Sequence, residues 1–109
     1  MNVKFKKFYD IKQNRIVFSF INYDYYDGND YLAELFKERY NFVVKKKIDG
    51  WWYSIIHICN EHSEYELLWH EDIGNEIYSL IQTDKENEIL ENRLNNIVDI
   101  INKRISSNS

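Results

Sequence analysis

The last quarter of the chain restricts its architecture most. Leu90, Leu94, Ile97, Ile101 and Ile105 recur at helical spacing, an apolar stripe along one side of a helix of about six turns. Such a stripe is stable only when laid on a second apolar surface. Thr83-Asp84-Lys85-Glu86, just before it, fits a capping box, with Thr83 bonding forward and Glu86 reaching back. Lys103 and Arg104 sit where the helix dipole is negative, and Ser106 to Ser109 is expected to fray.

The rest of the chain offers that helix a sheet. Val3 to Phe8 and Arg15 to Ile21 are β-favouring runs flanking a polar centre, a predicted hairpin. A turn-rich loop with Tyr23, Tyr25 and Tyr26 leads into a helix predicted over Tyr31 to Tyr40, stopped by Asn41. Its Tyr31, Leu32, Leu35 and Phe36 face inward, while Glu34, Lys37 and Glu38 face out. Phe42 to Ile48 and Trp51 to Cys59 flank Asp49-Gly50, a two-residue hairpin signal. With Trp51-Trp52 opening a strand, one ring is expected inside and the other outside. Glu64 to His70 is a further strand, and Glu76 to Gln82 a last strand or short helix. The expectation is an α+β fold: an antiparallel sheet of five to six strands with two helices, in the order ββαβββα.

The 109 residues form one expected domain, 1–109, with a hydrophobic share of 44% that supplies a full core. No apolar run is long enough to span a bilayer, no signal-peptide pattern follows the basic N-terminus, and Cys59 is the lone cysteine. A cytoplasmic protein is the expectation. The absence of proline, with abundant Asn, Ile, Lys and Tyr, points to an AT-rich and so bacterial coding sequence. Charge is unevenly spread. Residues 1–50 carry ten Lys/Arg and seven Asp/Glu, whereas residues 51–109 carry four and eleven. Such asymmetry suggests a charged partner, and the acidic half argues against nucleic acid.

Catalytic patterns are weak by comparison. His57 and Cys59 share one face of a strand, with His62 and His70 nearby, but His-x-Cys-x-x-His matches no common zinc spacing. Cys59 with His57 and Glu61 lacks a glycine-rich oxyanion loop, since Gly28, Gly50 and Gly74 are the only glycines. The paired acids Glu71-Asp72 and Glu64/Glu66 read as a solvated face rather than a glycosidase cleft. Lys45-Lys46-Lys47 would divide between two faces of a strand and reads as protection of a sheet edge. No enzyme activity, cofactor or metal is expected.

What remains is Glu61 to Asp72, where carboxylates alternate with large aromatic rings. Glu64, Glu66, Glu71, Asp72 and Glu76 would attract a basic surface, and Tyr65 and Trp69 would provide contact area. In size, in this acidic aromatic segment, in its lack of catalytic motifs and in its AT-rich character, the chain resembles the small bacterial immunity proteins of contact-dependent and polymorphic toxin systems. The resemblance implies a cytoplasmic inhibitor that binds its cognate toxin's C-terminal domain, a basic nuclease, and masks the active site. It implies no nucleic-acid or membrane partner. The alternatives are a small regulatory or phage-encoded adaptor that pairs through a sheet edge or as a homodimer, and a metal-dependent enzyme using His57, Cys59 and His62.

Overall fold

The computed structural model describes residues 2–107. The chain runs β1 (Lys4–Asp10), β2 (Arg15–Ile21), α1 (Gly28–Tyr40), β3 (Val43–Asp49), β4 (Tyr53–Cys59), β5 (Glu64–His70), β6 (Gly74–Ser79) and α2 (Asp84–Ser107). The fold is α+β. Six strands form one sheet in the order β1-β2-β6-β5-β4-β3, antiparallel at every step. α1 carries the chain from β2, next to one edge of the sheet, to the opposite edge, and β3 to β6 return as a meander.

Period-2 alternation decides which side chains meet the helices. Ile56, Leu67, Ile77 and Phe18 lie opposite one another on β4, β5, β6 and β2, and all belong to one core with Leu32, Leu35 and Phe36 of α1. Leu90, Leu94, Ile97 and Ile101 of α2 complete that core. Both helices therefore cover the same face, and among the described residues no element covers the other face of the sheet. Val17 and Tyr78 are buried on that open face by their neighbours, Tyr78 under the Arg15 guanidinium at 3.6 Å, and stand apart from the main core.

Local chemistry explains the boundaries. Asp10 Oδ1 accepts the Lys12 and Gln13 N–H groups, and Asn14 takes a left-handed φ of 54°, so the first hairpin turns over residues 11–14. Asn41 ends α1 in the left-handed conformation, its N–H bonded to Lys37 O. α1 starts one turn before the expected Tyr31, because Gly28 fits beside the Tyr23 ring. The last strand is Gly74–Ser79, shifted toward the N-terminus from Glu76 to Gln82, and it opens at Gly74 with φ +87°.

Half of the expected capping box forms. Thr83 Oγ1 accepts the Glu86 N–H, but the Glu86 carboxylate accepts from Ser63 Oγ instead of reaching back. The helix holds its form through Ser106 and Ser107, where fraying was expected; residues 108–109 lie outside the described residues. Ile105, the last member of the stripe, is exposed.

The β3–β4 hairpin departs most from expectation. Asp49 pairs with Ser54 and the Gly50 N–H bonds Tyr53 O, so the turn centres on Trp51-Trp52 rather than on Asp49-Gly50. Gly50 serves close approach: a Cβ there would stand 2.2 Å from the Tyr53 ring. Neither tryptophan enters a strand or the core.

The burial of α2 predicts a graded response. Leu94→Ala should cost about 2–5 kcal/mol, and Ile105→Ala well under ~1 kcal/mol. Urea unfolding followed by circular dichroism measures both; equal losses would contradict this packing.

Candidate partner-binding surface

The alternation that builds the sheet separates the residues that the sequence grouped together. Glu64 and Glu66 of β5 and Glu76 of β6 lie on the open face; Glu76 stands opposite Leu68, and Glu66 lies between His57 and Tyr78. Tyr65 points the other way and is 0% exposed, stacked on Phe42 and edge-on to Phe36, with its hydroxyl accepting from Arg93. It is a core residue and offers no surface to a partner. Glu71 and Asp72 occupy the β5–β6 turn.

Trp69 is partly covered at the margin of the helix-side face. Its Nε1–H donates to Asp24 Oδ1 at 2.8 Å, and its ring meets Tyr26 edge-on. These contacts lead to the end of the molecule where three loops converge: residues 22–27 after β2, residues 50–52 between β3 and β4, and residues 71–73 between β5 and β6. The Glu71 N–H donates to Trp52 O at 3.0 Å, and the Tyr26 hydroxyl approaches Gly50 O at 3.4 Å. The loops are thus tied to one another.

A buried amide ties them to the sheet. Asn75 has no exposed surface. Its Oδ1 accepts the Tyr25 N–H at 2.9 Å, and its Nδ2 donates to Tyr25 O and to Asn29 Oδ1. Asn29, equally buried, donates to Ser54 O. Tyr23 closes the inner side of the loop, its hydroxyl donating to Gly28 O at 2.8 Å, and burial pushes that phenol well above its usual pKa. Of the three clustered tyrosines, Tyr23 is therefore structural while Tyr25 and Tyr26 are exposed.

The surface so built is aromatic and acidic. Trp51 is 94% exposed and Trp52 54%, and Tyr25, Tyr26 and Ile73 of the other two loops are exposed as well. The three loops contain Asp24, Asp27, Glu71 and Asp72 and no Lys or Arg. Just behind them, Lys47 is engaged by Asp30 at 2.7 Å and by Asp49 at 3.7 Å, which raises its pKa and neutralises its charge locally. A large exposed indole at a rigid hairpin tip suits insertion into a pocket, and the carboxylates suit a cationic rim.

The sequence groups acids and rings on one contiguous segment and sets Trp51-Trp52 at the start of a strand, one ring inside and the other either an outward anchor or packed under the C-terminal helix; both rings instead stand in the turn. The signal available was Trp51-Trp52 directly after Asp49-Gly50. An Asp-Gly turn would have put the pair in a strand, whereas Tyr53 packing over Gly50 moves the turn onto them.

Elsewhere, His57 Nε2 lies 3.1 Å from Glu64 Oε2 on the open face, with Cys59 next along β4, while the His62 side chain is 83% exposed in the following turn. Among the described residues no group of three His, Cys, Asp or Glu side chains is placed to hold a metal ion. No helix among them is long and apolar enough to cross a membrane. Comparison of the chain with protein-family models, with curated proteins and with solved structures gives no match.

Glu76 yields a pH prediction. Burial, and then repulsion from Asp10, hold its carboxyl above the usual value, so the folded chain retains a proton that the unfolded chain has released. Its contribution to stability is full below the unfolded pKa and falls as pH rises through the folded one. Glu76→Gln should therefore gain melting temperature over the parent chain at pH 7 and lose that advantage at acidic pH. A constant difference across the pH series would contradict the assignment.

Proposed function

We propose that this protein is a bacterial immunity protein, a cytoplasmic inhibitor that binds the C-terminal domain of a cognate toxin and masks it. The observation that carries this reading is the loop end. Four carboxylates and the exposed Trp51 and Trp52 stand together on three loops that contain no Lys or Arg. A partner matching such a surface is basic, and carries a cleft or pocket that accepts an indole. A nuclease active site has these properties, because it must hold phosphate.

Inhibition on this reading is steric and electrostatic. The carboxylates of Asp24, Asp27, Glu71 and Asp72 occupy positions that phosphates would take, raising the association rate. Trp51 and Trp52 supply desolvated contact area, which sets the dissociation rate. Preorganisation by the buried amides limits the ordering cost of binding. Trp69 supports the surface from behind through Asp24 and Tyr26.

The test uses the C-terminal domain of the toxin encoded immediately upstream of this chain's gene. Equimolar protein should abolish its nuclease activity. Trp51→Ala should weaken binding by about 2 kcal/mol or more. The pair Glu71→Lys and Asp72→Lys should instead slow association and flatten its salt dependence. A toxin domain that remains active in excess protein, or variants that bind as the parent does, would overturn the proposal.

A further inference from the structure

We infer that the free edge of β3 receives an extended acidic segment of a partner protein as a seventh strand. This surface is distinct from the loop end and does not depend on the reading given to it.

β3 is an edge strand in which every residue from Val43 to Asp49 is exposed. The Gly50 N–H bonds Tyr53 O, and antiparallel ladders alternate bonded and non-bonded pairs. Asp49 and Lys47 therefore turn their backbone N–H and C=O groups away from β4, toward solvent. The β3–β4 register shifts between Val44 and Lys46, so a new strand would find donors and acceptors in register at Lys47 and Asp49.

Beside this edge, α1 stands off the sheet and leaves a groove of about 340 Å³. Its apolar floor comes from Ala33, Phe42 and Ile56, and Asp30, Glu34 and Lys37 stand on its wall, so the acids of an added strand belong on its other side, opposite Lys46. An added strand would drop alternate side chains into that groove, and apolar ones fit its floor. A free edge next to a helix-walled apolar groove is the geometry by which strand addition gains both affinity and selectivity.

Charge identifies the occupant. Lys47 is already engaged by Asp30 and Asp49. Among the described residues, no carboxylate lies within ion-pair distance of Lys37, Lys45 or Lys46. A β3 strand from a second copy, paired about Lys46, would set Lys46 against itself and Lys45 against Lys47, which is unfavourable across a ladder. A strand that alternates acidic and apolar residues satisfies both the lysines and the groove.

The probe is a capped peptide alternating Val and Glu, compared with one alternating Val and Lys, each titrated into the full chain and followed by amide NMR. The acidic peptide should shift resonances of residues 43–49 and of α1 facing the groove, and slow exchange of the Lys47 and Asp49 amides. The lysine peptide should leave them in place. The double variant Lys45→Glu/Lys46→Glu, its fold checked by circular dichroism, should weaken the acidic peptide roughly tenfold and gain binding of the lysine peptide. Three results would overturn the inference: no shifts at β3 up to millimolar peptide, equal binding of both peptides, or shifts confined to the loops at 22–27, 50–52 and 71–73. Sedimentation that showed the free chain pairing through β3 would assign the edge to a second copy and overturn it equally.

Discussion

Asn75 sits at the start of β6 with no exposure to solvent, its carbonyl oxygen committed to the Tyr25 N–H and its amide nitrogen to Tyr25 O and Asn29. A buried amide left unpaired would cost about 1–3 kcal/mol, so these bonds are mutually obligatory. They fix the loop after β2 against the sheet and orient the first turn of α1 through Asn29. Through Trp69, Asp24 and Tyr26, the same loop meets the turns that carry Trp51 and Glu71. The exposed surface at this end is therefore held by an interior constraint.

The sheet itself decides what that surface can contain. Along β5, successive residues point to opposite faces, so Tyr65 joins Phe36, Phe42 and Arg93 under the helices while Glu64 and Glu66 face away. An acidic aromatic segment in a strand cannot present both kinds of residue to one partner. In turns that restriction lapses, and there the protein brings rings and carboxylates together. The molecule then carries two faces of opposite character: an acidic aromatic loop end, and a β3 edge whose Lys45 and Lys46 lie, among the described residues, beyond ion-pair distance of any carboxylate.

Much of the fold was legible because it rests on periodicity. The α2 stripe, the α1 face, the Asn41 stop and the strands at Arg15–Ile21 and Glu64–His70 follow from spacing and turn chemistry alone. The misplacements arise where a particular contact or backbone angle overrides the general rule. The Tyr53 ring over Gly50 displaces the expected Asp-Gly turn, Ser63 draws the Glu86 carboxylate from its cap, and Gly74 starts β6 early. Of the residues first assigned to the binding surface, Glu71 and Asp72 lie at the loop end, Trp69 supports it, Tyr65 is internal, and Glu64, Glu66 and Glu76 belong to the open face. Strand alternation puts one ring of the Trp-Trp pair inside and one outside, and only the turn geometry shows both exposed.

The claim on which the rest depends is that the Asn75 amide holds the loop end in place. Native-state hydrogen exchange on Asn75→Leu, which keeps the branched heavy-atom shape but cannot bond, tests it most directly. The account predicts that the Tyr25 and Gly28 amides lose protection far beyond any uniform drop seen in α2. Protection lost equally across the loops and α2 would mean that Asn75 serves global stability alone, and would contradict the account.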